Sequence, residues 1–462
     1  MNTISRRWNH VAILTALLVM LFPGIASAGD PPNSSGFFGI QMRDSIAEQA
    51  TLPLASAAGV HWIRLSLRWG EIESADADPP SYHWAKYDAI IGDATAAGFS
   101  LIITVRDNPT WAATTACGPI DKTPVSRYLA FLTALVQRYG GAPYRVKLWE
   151  LYNEPDNNHP EMSSQGGCWG QHAAQYAALL GQARPAIKAV DPQAQLVLGG
   201  LAYDLIEGID TGGIFNGSFL NQLLASPGGT QFDIMNFHYY RAFHARWDPS
   251  GRDVIGKANF IRNQLAGKGL SRPIMVTEIG LPSAGPASDG QDYSDATSSR
   301  YVAQAHARAL SANLHSMTWF RMADAADDER LYGLLRVDYA PKPAYQAYQT
   351  LTREIAGAAY LRTDNVSGLE TYVFNAGGRL KYIAWSADAM THTLSVTAGA
   401  VWVVDKLGDR HVIADGAAED RDGQRNGTVA VAIGVEPRYV YAMLAGDLPM
   451  RVFLPAMRRR AP

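Results

Sequence analysis

From Ser35 to about Ile355, short apolar runs alternate with longer stretches of helical periodicity, and that alternation narrows the open folds more than any other feature. The runs are Phe37–Met42, Trp62–Trp69, Leu101–Arg106, Val146–Tyr152, Gln195–Leu201, Ile234–Tyr240, Pro273–Ile279 and Ser316–Met322. Amphipathic stretches lie between them, at Tyr87–Ala97, Ser126–Tyr139, Gln171–Val190, Asp253–Leu265 and Ser299–Asn313. Near-continuous apolar strands separated by helices imply a parallel sheet covered on both faces. Eight such units over about 320 residues fit a (β/α)8 barrel. A doubly wound open sheet is the alternative, but its phosphate-binding glycine fingerprint is missing after the first strand.

After Ala356 the texture changes to short alternating runs: Glu370–Phe374, Leu380–Trp385, His392–Val396, Val401–Asp405, Thr428–Ile433 and Arg438–Met443. Turn signals such as Asn375-Ala376-Gly377-Gly378 and Gly408-Asp409 separate them. This pattern predicts a small antiparallel β-sandwich. The expected fold is therefore α/β: a TIM barrel over residues 29–356, a smaller C-terminal antiparallel β-sandwich over 357–446, and a basic tail over 447–462.

Residues 1–28 read as a signal peptide, with Arg6 and Arg7 before an apolar stretch and Ala26-Ser27-Ala28 as the cleavage site. The alternative is an uncleaved anchor helix, although the stretch is short for a membrane span. Export to the cell exterior or periplasm follows, with no membrane association after cleavage. A net charge of −3 argues against nucleic acid as a partner. Oligomeric state is not legible. The two cysteines, Cys117 and Cys168, exclude multi-cysteine metal sites. In an oxidising compartment they favour one disulfide, since loops after consecutive barrel strands lie side by side.

In a (β/α)8 barrel, chemistry sits at the C-terminal ends of the strands. Glu154 closes the fourth strand in Trp149-Glu150-Leu151-Tyr152-Asn153-Glu154-Pro155, and Glu278 closes the seventh in Ile274-Met275-Val276-Thr277-Glu278-Ile279-Gly280. Two carboxyls at one barrel mouth meet the need of acetal hydrolysis: one protonates the departing oxygen, the other attacks or stabilises the anomeric carbon. Pleat parity gives Glu150 the same face as Glu154, one layer deeper, as a supporting acid. Other chemistries lack their parts. Gly251–Ala258 nearly matches a phosphate-binding loop but ends in Ala258 where Ser or Thr is needed. Asp324, Asp327, Asp328 and Glu329 form an acidic loop, read as solvated in preference to calcium-binding. No metal and no cofactor are expected.

Asn153-Glu154-Pro155 after an apolar strand, with a second glutamate ending a later one, resembles the clan A (4/7) retaining glycoside hydrolases. Trp62-Ile63-Arg64, Asn108-Pro109-Thr110-Trp111-Ala112, Phe237-His238-Tyr239-Tyr240, Trp319 and Lys342-Pro343-Ala344-Tyr345 belong to the same pattern. Barrel plus sandwich is similar to family 39, and the histidine before Tyr240 is similar to family 5. The resemblance implies a secreted retaining β-glycoside hydrolase acting on a carbohydrate substrate. An extracellular transglycosylase or a carbohydrate-binding pseudoenzyme would share these residues.

By that resemblance Glu278 is the nucleophile and Glu154 the general acid/base. Asn153 would bond the 2-hydroxyl of the reacting sugar. Arg64 and Tyr240 would donate to Glu278 and hold it as a carboxylate. Arg64 has an alternative in Glu71 or Glu73, and Tyr239 competes with Tyr240 for the inward position. His238 is either a substrate-binding residue or a satisfied barrel histidine. Trp319 is expected to be the platform beneath the reacting ring, and Trp111, Trp169 and Trp247 to line further subsites or pack the core.

Overall fold

The computed structural model describes residues 36–158, 169–203, 214–240, 242, 245–285, 292–366 and 368–447. The expected signal peptide, Cys168 and the last fifteen residues lie outside them. All eight apolar runs of the first part hold strands: β1 Phe38–Gln41, β2 Trp62–Arg68, β3 Ser100–Arg106, β4 Leu148–Leu151, β5 Gln195–Leu198, β6 Met235–Tyr239, β7 Ile274–Ile279 and β8 Ser316–Trp319. They are parallel neighbours in the order β5-β4-β3-β2-β1-β8-β7-β6. Bridges Val197 to Ile234 and Leu201 to Phe237 bring β5 beside β6, so the sheet curls into a barrel. Helices fall where the periodicity predicts, at Ala85–Ala96, Val125–Tyr139, Ala173–Val190, Val254–Ala266 and Asp295–Ser311, and a further one follows β8 at Pro343–Ile355. Lys342-Pro343 opens the last of these, with the proline in the first turn, where no N–H is missed.

Inside the barrel, Ile102, Leu148, Val197, Ile234 and Met275 form a dry layer. Two residues further along the same strands the inward positions turn polar: Thr104, Glu150 and Asn236, each at most 0% exposed. Side chains alternate between the two faces of a strand, so the polar layer caps the apolar one toward the C-terminal ends.

The second part is a six-stranded antiparallel sheet facing a two-stranded one. Its strands are β9 Ala359–Thr363, β10 Leu369–Ala376, β11 Arg379–Ser386, β12 His392–Thr397, β13 Ala400–Asp405, β14 Arg410–Ala414, β15 Thr428–Ile433 and β16 Arg438–Ala442. The larger sheet runs β14-β13-β16-β11-β10-β9, and β12 pairs with β15. Period-two alternation divides its residues. Leu369, Val401, Val403 and Val440 meet Leu394, Val429 and Val431 of the smaller sheet. Tyr372, Phe374, Trp385 and Tyr439 face the other way, into the core shared with the barrel. The alternating runs missed β9 and β14. Both are sheet edges with mostly exposed side chains, so neither needs a regular apolar face.

A buried ion network ties the two parts together. Arg308, on the helix Asp295–Ser311, donates to both oxygens of Glu370 on β10 at 2.9 Å and to Asp253 at 2.6 Å. Tyr372 adds a bond to Glu370 at 2.6 Å. Burial works against the charge of Glu370, but the Arg308 bonds and charge outweigh it and bring its pKa down to about 2. A depressed carboxyl pKa contributes stability that is whole above the unfolded value of 4.5 and is lost as pH falls toward 2. Arg308→Met leaves buried Asp253 without its cation and Glu370 with only the exposed Arg252, at 2.9 Å, and is expected to cost about 3–5 kcal/mol in urea unfolding at pH 7. The loss should shrink at pH 3, where the unfolded chain already holds the proton.

Candidate active site

Arg64 stands at the centre of the polar layer, 1% exposed, projecting inward from β2. Its Nε and Nη2 bind the two oxygens of Glu150 at 2.7 and 2.9 Å. Nη1 reaches Gln41 at 2.9 Å and Glu278 at 2.5 Å, and Nη2 also reaches Asn153 Oδ1 at 2.7 Å. The alternative partners are engaged elsewhere: Glu73 binds Trp69 and Arg127, and Glu71 binds Lys86. Glu150 is completed by Thr104, Asn236 and the Gly200 N–H. A buried guanidinium this fully paired is rigid, and it orients Asn153 and Glu278 together.

Strict alternation would send Glu278 outward, because Met275 and Thr277 face in. A register shift rescues it: Phe237 pairs with Val276 but His238 with Glu278, leaving Thr277 as an extra residue. Such a bulge re-aims the following side chain. Glu278 Oε1 then receives Arg64, and Oε2 receives the Tyr240 hydroxyl at 2.6 Å. Tyr240, not Tyr239, takes the inward position; Tyr239 is buried in the surrounding core.

Glu154 reaches the mouth by a different route from the one parity suggests. β4 ends at Leu151, Tyr152 turns away to pack on Trp169 and Tyr176, and both Tyr152 and Glu154 have positive φ, 60° and 46°. Left-handed backbone at non-glycine residues is strained and persists where neighbours hold it. Asp156 is one such holder, accepting the N–H groups of Ala202 and Tyr203 at 2.9 Å. Burial raises its pKa to about 7.

His238 Nδ1 lies 3.0 Å from Glu154 Oε1, and its Nε2 lies 3.1 Å from Thr277 Oγ1. Burial first, then the charge of Arg64, pushes its pKa well below the usual range, so the imidazole is neutral. Gly200 must be glycine here: a Cβ would sit 2.1 Å from His238 Nε2. Lys257, from the near phosphate-loop motif, is buried behind β6 and donates to the carbonyls of Leu201 and His238 at 3.0 and 2.8 Å. The motif thus braces the barrel wall.

Ligand-type atoms of Glu154, His238 and Glu278 all lie within 4.8 Å of one another. Among the described residues this is the one group close enough to share a cation, but Arg64 and Tyr240 already occupy both oxygens of Glu278. The arrangement fits two acids that share a reacting centre. Burial, then the negative charge of Glu278 and of Asp156, raises the Glu154 pKa well above the carboxylate range. A carboxyl that holds its proton to higher pH than usual is suited to act as a proton donor.

The platform expectation is corrected. Trp319 is 0% exposed and faces the helix layer, with His306 stacked at 6.4 Å and Tyr301 at 6.2 Å. Its neighbour Met317 lies in the same core, so parity puts Ser316 and Thr318 inward on β8. The next residue, Phe320, is half-buried and forms an aromatic cluster with Tyr240 at 5.7 Å and Tyr332 at 5.5 Å. Sequence reading missed Phe320 and Tyr332; an aromatic one residue past Trp319 was the available signal. Trp169 and Trp247 are core residues, 2% and 6% exposed. Trp111 is half-buried; its N–H bonds Glu73 O at 3.0 Å and Arg127 lies 5.2 Å over its ring, pinning the loop after β3 to that after β2. Gln41, Thr104, Asn236 and Thr277 were also missed, although polar residues inside apolar runs marked them.

In the acidic loop after β8, Asp324 is buried on Lys342 at 2.5 Å and Asp328 meets Arg321, so the solvated reading is corrected for these two and fits the exposed Asp327 and Glu329. Among the described residues no helix is long and apolar enough to cross a membrane.

A family model described as Cellulase (glycosyl hydrolase family 5) matches residues 26–325. No curated protein matches the chain. Among solved structures, a family 39 glycoside hydrolase from the gut symbiont Bacteroides cellulosilyticus WH2 is similar, with TM-score 0.67 and 20% identity over 89% of this chain and 82% of that one. A glucosidase from Croceicoccus marinus gives TM-score 0.61 and 17% identity over 90% and 98%. A family 30 endoxylanase from Clostridium papyrosolvens C71 gives 0.59 and 10% over 88% and 95%. At these identities the structural likeness speaks for the fold, a TIM barrel with a C-terminal β-domain.

Proposed function

Because the chain belongs to glycosyl hydrolase family 5, we propose that it is an exported retaining β-glycosidase that cleaves O-glycosidic bonds of an oligo- or polysaccharide by double displacement. The observation that carries this reading is the approach of Glu154 and Glu278, with carboxylate oxygens within 4.8 Å. Retaining enzymes set their carboxyls about 5 Å apart, whereas inverting ones leave room for a water at roughly 6.5–9.5 Å. In the first step Glu278 attacks the anomeric carbon while Glu154 gives its proton to the departing oxygen. In the second, Glu154 takes a proton from water, which displaces Glu278. Arg64 and Tyr240 hold the attacking carboxylate, Asn153 meets the 2-hydroxyl, and Phe320 with Tyr332 offers the apolar face for the ring.

Purified protein should be screened on β-linked polysaccharides and aryl β-glycosides, with the first-formed anomer read by NMR. Initial release of the β anomer is expected; initial release of the α anomer would exclude double displacement. Tyr240→Phe removes one bond to the attacking carboxylate and is expected to lower kcat/KM about 10- to 100-fold, as for a hydrogen bond to a charged group. An unchanged kcat/KM would remove Tyr240 from the mechanism.

Export and a Cys117–Cys168 bond belong to the same proposal. Cys117 is 2% exposed in the loop after β3, which Asn108 ties down through the carbonyls of Thr115 and Gly118. Intact mass after alkylation of the unfolded, non-reduced protein is expected to show no alkyl group added. Two added groups would rule the bond out.

A further inference from the structure

Behind the catalytic pair, a chain of hydrogen bonds runs from Glu154 through His238, Thr277, Asn236, Glu150 and Arg64 to Glu278. Thr277, at its middle, is the extra residue of the β7 bulge. Thr277, Asn236, His238 and Glu150 are all 0% exposed, so each of their hydrogens needs an acceptor inside the protein. Asn236 has one workable orientation. The Glu150 carboxylate only accepts, so the amide nitrogen faces its Oε1 at 3.0 Å, and the Thr277 N–H points at Asn236 Oδ1 from 3.1 Å. The second amide hydrogen then goes to Thr277 Oγ1 at 2.7 Å.

The Thr277 hydroxyl has one hydrogen of its own to place. Asn236 Oδ1 lies 3.0 Å away, but it shares a carbon with the nitrogen that already donates to the hydroxyl, so the hydrogen aims poorly at it. Glu150 Oε1 is 3.5 Å away and already accepts from Arg64, Asn236 and Gly200. His238 Nε2, at 3.1 Å, is the remaining acceptor. A neutral imidazole has one N–H and one bare nitrogen, so a bond received at Nε2 puts the ring proton on Nδ1. Nδ1–H then donates to Glu154 Oε1 at 3.0 Å; Glu278 Oε2 is farther, at 3.6 Å. With Oε1 accepting, the acidic proton of Glu154 belongs on Oε2.

We propose that Thr277 is a positioning residue for the reaction: its hydroxyl fixes the Nδ1–H form of His238, and His238 keeps the transferable proton of Glu154 on Oε2. In the first step the Oε2–H bond breaks, the proton passes to the departing oxygen, and the electron pair stays on Glu154, where Nδ1–H meets the new charge. In the second, Oε2 takes a proton from water. His238 neither gains nor loses a proton in either step. One inserted residue thus aims Glu278 and orients the proton of Glu154.

The kinetic consequence rests on the glycosidase reading; the position of the ring proton does not. Thr277→Val keeps the branched shape and removes the hydroxyl, and Thr277→Ser keeps the hydroxyl. The charged groups facing Glu154 and His238, namely Arg64, Arg106, Glu150, Asp156, Lys257 and Glu278, are the same in both variants. By NMR of protein carrying isotope-labelled histidine, the His238 ring, identified by its loss in His238→Gln, is expected to show a protonated Nδ1 and a bare Nε2 in native protein and in Thr277→Ser. Native His238 protonated at Nε2 overturns the proposal even if Thr277→Val does not fold. Thr277→Val is expected to lower kcat about tenfold on glycosides with poor leaving groups, with KM and the rates on activated aryl glycosides little changed. With Nδ1–H no longer held toward the carboxylate, the alkaline fall in activity should move up by about one pH unit. Thr277→Ser should restore both. A Thr277→Val protein that only melts earlier, with leaving-group dependence and alkaline limb unchanged, makes Thr277 structural and overturns the proposal. An Nδ1–H His238 in a native protein that cleaves no glycoside overturns the catalytic reading while the hydrogen-bond assignment stands.

Discussion

Glu278→Gly is expected to lower kcat/KM on every glycoside by roughly four to six orders of magnitude, the scale seen when an attacking group is removed from an enzyme. The loss should not depend on the leaving group, because attack is missing whatever departs. The small cavity left beside Arg64 and Tyr240 gives an outside anion access to the anomeric carbon. Azide is then expected to restore turnover of an activated aryl β-glycoside and to yield the α-glycosyl azide, since one displacement inverts where two retain. A variant keeping more than a hundredth of the native rate would reassign the nucleophile. So would labelling of another residue by a mechanism-based fluoro-sugar.

Glu154→Gln is expected to behave differently. Loss of general acid help costs about 10²–10⁴-fold where the leaving oxygen needs a proton, and far less for a phenol activated by nitro groups. The same substitution tests the electrostatics. Burial and the neighbouring charges of Glu278 and Asp156 hold the Glu154 proton to higher pH than an ordinary glutamic acid does. The acid works only when protonated, so activity should fall as pH rises through its raised pKa. That alkaline fall should vanish in Glu154→Gln. Formation of the covalent intermediate consumes the charge of Glu278 and lets the Glu154 pKa drop, which suits its second task as a base. Equal losses on good and poor leaving groups, with the alkaline limb intact, would remove Glu154 from the acid role.

The order of elements, the barrel, the sandwich and the two glutamates were legible in the sequence because local patterns encode them. A strand buried on both faces must be apolar throughout, a covering helix must carry one apolar stripe, and Asn153-Glu154-Pro155 is a contiguous motif. The same physics hides what lies at one remove. When both faces of a strand are buried, hydrophobicity cannot say which face is inward, so Trp319 was assigned to the barrel mouth and Phe320 was passed over. Trp319 went to the helix layer because β8 pairs with β1 and β7 in a register that faces Ser316 and Thr318 inward. The inward turn of Glu278 depends on one extra residue in β7 relative to β6, a relation between two chain segments that neither contains alone. Arg64 had several acids within reach in sequence, yet its partners are 86 and 214 residues away. Only closure of the barrel brings them within hydrogen-bond distance. Local periodicity therefore determined the architecture and where chemistry could sit, while register and closure decided which side chains meet there, because those depend on pairings between distant strands.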